Sequence, residues 1–223
     1  MIHSKREENQ KGRKKMNVIV EGNGGVGKST ILSYFQKFPD VSCHHEPVNK
    51  WSNYYGHNML ELYYRDQNRW SFPFQVMVQK TFLDLYDDDK DLPIKIYERS
   101  LYASFNVFGK AMKESNFLND IEYTILTQFY ELHCKHLSGK FDLIVYLRLD
   151  PEICYQRMTQ RARPEEKCVK KEFIYDLHKY YEEWLYDRTV PGFDIPILIV
   201  DANINKNQLQ ILAQDLHSQW VQK

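Results

Sequence analysis

Short apolar runs punctuate the chain at 18–20, 94–97, 143–149 and 197–200, and longer helical stretches lie between them. Such near-continuous runs of Val, Ile, Leu and Tyr suit strands that are covered on both faces, the arrangement of a parallel sheet with helices on either side. A weaker strand is predicted over 41–46, which makes five. Helices are predicted over 28–38, 59–86, 101–117, 123–137, 152–160 and 172–188. Asp150 followed by Pro151 marks one helix start well, with an acidic cap and a proline in the first turn. The fold class that follows is α/β, a five-stranded parallel sheet flanked by helices. No internal repeat interrupts it.

The first 15 residues break the alternation. They are polar, mostly charged and nearly free of apolar side chains, so they cannot bury enough surface to order themselves. The sequence therefore divides into a flexible basic tail, 1–15, and one domain, 16–223. The cluster Lys11, Arg13, Lys14 and Lys15 reads more plainly as a solvated tail than as a nuclear address. Glu7 and Glu8 argue against a mitochondrial transit peptide.

Charge narrows the partners. Thirty basic and 30 acidic residues leave no net charge, so no whole-chain field steers the protein toward nucleic acid or an acidic membrane. Any anion it handles must be met by a local cluster. The four cysteines, Cys43, Cys134, Cys154 and Cys168, have neither zinc spacing nor a Cys-x-x-Cys pair. No apolar run approaches the roughly 18–20 residues that span a bilayer. A cytoplasmic, reduced intracellular location is the expectation.

One segment carries most of the chemistry. Gly22-Asn23-Gly24-Gly25-Val26-Gly27-Lys28-Ser29, followed by Thr30, satisfies Gly-x-x-x-x-Gly-Lys-Ser, and it leaves an apolar strand to open a helix. That context distinguishes a phosphate-binding loop from a glycine-rich turn. Inward backbone N–H groups would hold phosphate oxygens, Lys28 would reach the outer phosphates, and the Ser29 hydroxyl would meet Mg2+. A regulatory GTPase needs an Asn-Lys-x-Asp guanine reader, and Asn205-Lys206-Asn207-Gln208 lacks the acid. The class left is a small kinase in which ATP donates its terminal phosphoryl group.

Four further segments concern the acceptor. His45-Glu46-Pro47-Val48 and Tyr97-Glu98-Arg99-Ser100 each end a predicted strand, at the sheet edge where open α/β folds bind ligands. Arg69-Trp70-Ser71-Phe72-Pro73-Phe74-Gln75 adds aromatic faces and an amide. Arg157, Arg161 and Arg163, with Glu165 and Glu166 behind them, place three guanidiniums at near-helical spacing. With the phosphate loop, these segments resemble the deoxyribonucleoside kinase family over about residues 17–203.

The resemblance implies a P-loop kinase fold with an arginine-rich lid, and it implies roles. Glu46 resembles the general base that takes the 5′-hydroxyl proton, Arg99 the group that holds that oxygen and steadies Glu46, and Glu98 a magnesium ligand. Tyr64 and Glu166 match residues that bind the sugar 3′-hydroxyl. Gln75 resembles the base-pairing amide, with Trp51 and Phe108 as pocket walls. Arg161 and Arg163 match phosphate-clamping lid arginines, Arg157 the one lying against adenine, and Asp201-Ala202 the loop at the adenine edge. A homodimer is also implied, with the 59–86 and 101–117 segments able to supply its face.

Each assignment has a plainer rival. Trp51, Tyr64, Trp70 and Phe108 are also good core aromatics, and for Trp70 that reading is preferred. The arginine run is also compatible with an exposed helix face. His44 and His45, lacking a third ligand at recognisable spacing, read as strand-end polar residues.

Purine- and cytidine-selective members of the family carry an Arg and an Asp where this chain has Phe82 and Ser104. Val78, Phe82 and Ser104 leave a more apolar floor, like that of thymidine-accepting members. The expected substrates are thymidine and deoxycytidine, with purines poorer. The competing readings are a thymidylate-type nucleoside monophosphate kinase and, from another class, a nucleotide-binding regulator without turnover. Glu46 would repel an acceptor's phosphate, and Lys28, Glu46 and Arg99 are all present.

Overall fold

The computed structural model describes residues 15–87, 92–162, 169–190 and 193–222. Its centre is a five-stranded, all-parallel sheet in the order β2-β3-β1-β4-β5. The strands are β1 (Met16–Glu21), β2 (Val41–His44), β3 (Ile94–Glu98), β4 (Leu143–Arg148) and β5 (Ile197–Asp201). The chain runs from β1 out to β2, returns to β3, then crosses β1 to reach β4. Direction therefore reverses beside β1, and the crevice at the carboxyl ends of the strands opens there.

Alternate side chains of the central strands enter two cores. Val18 and Val20 of β1, Ile94 and Ile96 of β3, and Val145 and Leu147 of β4 pack against α1 (Lys28–Phe35), α7 (Pro151–Arg161) and α9 (Lys206–Val221). Ile19, Tyr97, Ile144 and Tyr146 face the other way. They meet α4 (Gln67–Tyr86), α5 (101–114), α6 (Asp120–His136) and α8 (Lys171–Tyr181). Burial on both faces is what the continuous apolar runs require. The edge strand departs from that expectation: Leu198 and Ile199 of β5 are 36% and 40% exposed.

Several boundaries differ from the sequence expectation for local reasons. The helix expected over 59–86 is two, α3 (Met59–Arg65) and α4, with a short α2 (Val48–Ser52) before them. Asp66 divides them because its carboxylate accepts the Arg69 N–H at 3.1 Å and caps a new helix. Asp competes in this way for backbone donors, and periodicity does not register it.

The helix expected to reach Phe117 stops at Glu114, and Asn116 ends it in a left-handed conformation (φ 59°). Within α5, Ser104–Gly109 is wound as a π-helix between Leu101–Ala103 and Lys110–Glu114. A second π-helical turn, Glu182–Tyr186, continues α8 in place of the α-helix expected to 188. The helix expected over 123–137 starts earlier, at Asp120, on an Asn119–Glu122 capping box.

Candidate active site

The loop between β1 and α1 owes its shape to three glycines. Gly22, Gly25 and Gly27 have φ of 142°, 79° and 113°. A Cβ on Gly25 would stand 2.3 Å from the Cys154 carbonyl oxygen, so the loop lies directly against α7. The Asn23 amide donates to the Ile174 carbonyl at 2.8 Å and ties the loop to α8 as well. Lys28 turns back over the loop and donates to the carbonyls of Gly22 and Asn23, each at 2.9 Å. Burial, with Arg99 adding repulsion, lowers its ammonium to about 8. An incoming anion would raise it again by offsetting both.

Glu98 ends β3 beside the start of α1. Its Oε1 accepts from the Ser29 hydroxyl at 2.6 Å and its Oε2 lies 2.8 Å from His45 Nδ1. Burial works to raise this carboxyl, but Lys28, Ser29 and His45 together hold it below the ordinary range. The side-chain amide of Gln36 meets His45 Nε2 at 2.8 Å. With the amide nitrogen donating there, the imidazole proton sits on Nδ1 and points at Glu98. His45, read from sequence as a strand-end polar residue, thus orients Glu98. Its position one residue before Glu46 was the available signal.

Arg99, next along, has φ 67°, unusual for a non-glycine residue. Such strain collects where a side chain must be held in one place. Its Nε lies 2.8 Å from Glu46 Oε1, in ionic contact but without an N–H aligned for a hydrogen bond. Its guanidinium also rests 4.8 Å over the Phe108 ring. Burial opposes the charge on Arg99, and Glu46, Tyr181, Glu21 and Glu98 more than restore it, so it stays protonated. Glu46 follows the end of β2, and Pro47 behind it has no N–H with which to extend the sheet.

Glu46, Arg99 and Gly24 of the phosphate loop line one cavity, together with Trp51, Tyr64, Gln75, Val78, Phe82, Ser104 and Phe108. Ser104 and Phe108 reach it from the π-helical turn of α5. The Trp51 indole is fixed by donating to Thr81 at 2.9 Å and by edge contacts with Phe74 and Phe82. Gln75 is 2% exposed; its Nε2 rests against the Met112 sulfur at 3.4 Å, and its Oε1 has no partner. A buried carbonyl oxygen left unpaired is costly, and here it awaits a donor.

Every substrate-side residue expected from sequence and lying among the described residues therefore meets in one space. Trp70 stays out of it, packed against the core with Arg69 over its ring. The missed walls, among them Tyr63, Met112, Met158 and Phe173, are apolar residues that no motif marks.

The donor side is less completely described. Arg157 and Arg161 lie on α7, the helix over the phosphate loop, while Arg163 and Glu166 fall outside the described residues. Val26 is buried, and Thr30 sits in the first turn of α1. Ala202 is buried at the end of β5, its N–H bonded to the Arg148 carbonyl, and Asp201 caps the turn through the Asn203 N–H. Among the described residues no group of three or more His, Cys, Asp or Glu is arranged to hold a metal by itself, and no helix is long and apolar enough to cross a membrane.

One buried group was not anticipated. Glu21, the last residue of β1, is fully buried and accepts from the Ser100 hydroxyl at 2.5 Å and the Tyr181 hydroxyl at 3.1 Å.

Comparison with known proteins shows the family. The family model described as deoxynucleoside kinase matches residues 18–221. The chain is 35% identical over 210 residues to human "Thymidine kinase 2, mitochondrial", covering 94% of this chain and 79% of that protein. It is 30% identical to mouse deoxycytidine kinase, covering 92% and 88%. It is 31% identical to the mitochondrial deoxyguanosine kinase of Xenopus laevis, covering 82% and 80%.

Proposed function

The chain belongs to the deoxynucleoside kinase family of phosphotransferases, and on that premise we propose that it transfers the terminal phosphoryl group of ATP to the 5′-hydroxyl of a deoxyribonucleoside, preferring thymidine and deoxycytidine. The observation that carries this reading is the Glu46–Arg99 pair, 2.8 Å apart in the wall of the cavity that also contains Gly24 and the unpaired Gln75 oxygen. A nucleoside base at Gln75 would extend its sugar toward Glu46 and the phosphate loop.

The steps follow from that placement. Glu46 accepts the proton of the 5′-hydroxyl as its oxygen attacks the terminal phosphorus, and the bond to the departing diphosphate breaks. The transferring group is loose and anionic, so positioned cations do most of the work. Lys28, Arg99, Arg161 and Arg163 supply them. Ser29 and Glu98 offer the hard oxygen donors that magnesium takes, Glu98 being held ionised for that purpose, and the ion would neutralise charge on the phosphates.

Base preference rests on the cavity floor. Gln75 presents an acceptor at Oε1, which suits the thymine N3–H or the cytosine amino group. Phe82, fully buried and wedged between Trp51 and Tyr86, shortens the pocket on one side and disfavours the larger purines. Glu46 speaks against a monophosphate acceptor, whose own charge it would repel. Tyr64 and Glu166 are proposed to bind the 3′-hydroxyl, and Arg157, Asp201 and Ala202 to border the adenine.

A homodimer is part of the reading. Ile121, Phe129 and Leu132, which are 64%, 45% and 49% exposed, share a face of α6, and Val76 of the neighbouring α4 is exposed too. We also propose that residues 16–223 act as one kinase domain inside the cell; the names of two of the relatives above place those proteins in mitochondria.

The test is a panel of the four deoxynucleosides and thymidine monophosphate with ATP and magnesium, run on the wild type and on Glu46→Gln. Thymidine and deoxycytidine should be phosphorylated, with kcat at least about a hundredfold lower in the variant. ATP should still raise the Tm of both proteins. A higher kcat/KM for deoxyadenosine or deoxyguanosine than for thymidine sinks the base preference, and turnover of the monophosphate alone sinks the acceptor assignment.

A further inference from the structure

Arg99 is the one cation in direct contact with Glu46 among the described contacts, and what fixes Arg99 is not Glu46 alone. Its Nη1 donates to the Tyr181 hydroxyl at 2.5 Å, and the same hydroxyl donates to Glu21 Oε2 at 3.1 Å. Ser100 Oγ, beside Arg99 in the chain, donates to the other oxygen, Glu21 Oε1, at 2.5 Å. The four side chains form a directed chain: Arg99 to Tyr181, Tyr181 to Glu21, and Ser100 to Glu21 from the other side. Glu21, Ser100 and Tyr181 are each 0% exposed, and Arg99 is 6% exposed.

From this arrangement the geometry points to Glu21 as a positioning residue for phosphoryl transfer, one that holds the Arg99 guanidinium in register with Glu46 through Tyr181 and Ser100. The inference rests on the kinase reading above and deepens it.

Three observations favour function over plain structural support. First, a carboxylate with no exposure costs stability unless something compensates, and a smaller apolar residue would fill the end of β1 more cheaply. Burial indeed pushes Glu21 up to about 7, against the pull of Arg99, Ser100, Lys28 and Tyr181. Second, the contacts of Glu21 lead toward the reacting groups: Arg99 touches Glu46, and Ser100 follows Arg99. Third, Arg99 is held in a left-handed backbone conformation, with its own N–H bonded to the Val20 carbonyl one residue before Glu21. Strand β1 thus grips Arg99 by its backbone at Val20 and by its side chain through Glu21. Tyr181 is the last residue of α8, where the winding loosens into a π-helical turn, and its hydroxyl joins Arg99 to Glu21.

The experiment compares wild type, Glu21→Gln, Tyr181→Phe and the double variant in steady-state kinetics with thymidine and ATP, alongside Tm at about pH 8. Gln keeps the size of Glu21 but not its charge, and Tyr181→Phe cuts the chain elsewhere without touching Glu21. Each single variant should lose about tenfold or more in kcat with KM for ATP nearly unchanged, the sign of an interaction realised in the transition state. The double variant should lose no more than the worse single one, because both break the same chain.

Glu21→Gln should also have an equal or higher Tm than wild type. Wild-type kcat in Glu21→Gln, or losses that multiply in the double variant, would overturn the inference while leaving the kinase reading intact. A lowered Tm that tracks the loss of kcat would overturn it too, by making Glu21 a structural group. A wild type that transfers no phosphoryl group to any deoxynucleoside, while ATP still raises its Tm, would overturn the kinase reading and this inference with it.

Discussion

Charge at the centre of this protein is dense and nearly dry. Lys28, Glu21, Glu98 and Arg99 are each no more than 6% exposed, and Glu46 touches Arg99 at their edge. Burying so many ionisable groups together makes the stability of the site depend on pH. Glu21 illustrates the sign. Its folded pKa is raised from 4.5 to about 7, so the stability it contributes is complete below the unfolded value and is lost as pH rises through 7. The Tm difference between Glu21→Gln and wild type should therefore grow in favour of the variant from about pH 5 to about pH 8. Circular dichroism melts at the two pH values check this, and a constant difference would refute it.

Lys28 could be read from the chain because a phosphate loop needs that lysine at that spacing, and Glu46, Arg99 and Gln75 stood out through the family resemblance; the structure brings all but Lys28 to the wall of one cavity. Glu21 could not be read in this way, because a lone Glu is most often a solvated surface group and only burial beside a partner distinguishes it; His45 had only its place beside Glu46 as a signal, and its contact with Glu98 took the folded chain to show.

Helices and strands decide how those residues converge, and the phosphate loop shows how closely elements must approach. Gly25 sits where φ is 79° and where a Cβ would collide with the backbone of α7, which has no side-chain end to swing aside. Gly25→Ala should thus displace the loop or the helix. The expected result is a lost ATP-induced rise in Tm, with a folded far-ultraviolet spectrum retained; an unchanged ATP response would show that the contact yields. At this scale periodicity placed the five strands and most of the helices.

It missed the break at Asp66 and the π-helical turns at Ser104–Gly109 and Glu182–Tyr186. The first is a side chain taking a backbone donor. The second and third insert a residue into the helical ladder, and that is settled by what the turn packs against. The first π-helical turn carries Ser104 and Phe108 into the cavity, and the second follows Tyr181, which bonds Arg99 and Glu21.

Across the whole molecule, the reversal of chain direction beside β1 brings the phosphate loop, Glu46 and Arg99 to one sheet edge, although Arg99 lies 77 positions after Gly22 in the chain. Outside the cavity, α6 turns Ile121, Phe129 and Leu132 outward, and burial in a symmetric dimer would give that face a function. Leu132→Glu should convert a dimer to a monomer in light scattering at micromolar protein, with kcat changed little because α6 lies outside the cavity. A wild type that is already monomeric would dismiss the interface.

By itself the sequence determined the α/β class, the five parallel strands and the phosphate loop, and it singled out the strand-end residues proposed here for the acceptor side. Each of these depends on short-range order: apolar continuity, glycine spacing, a charged residue at a strand end. Only the tertiary structure decided that Glu21, Ser100 and Tyr181 support Arg99 and that His45 turns toward Glu98, and it alone picked out which apolar side chains wall the cavity. Those outcomes rest on burial and on contacts between distant segments, and burial is a property of the packed chain that no residue carries alone.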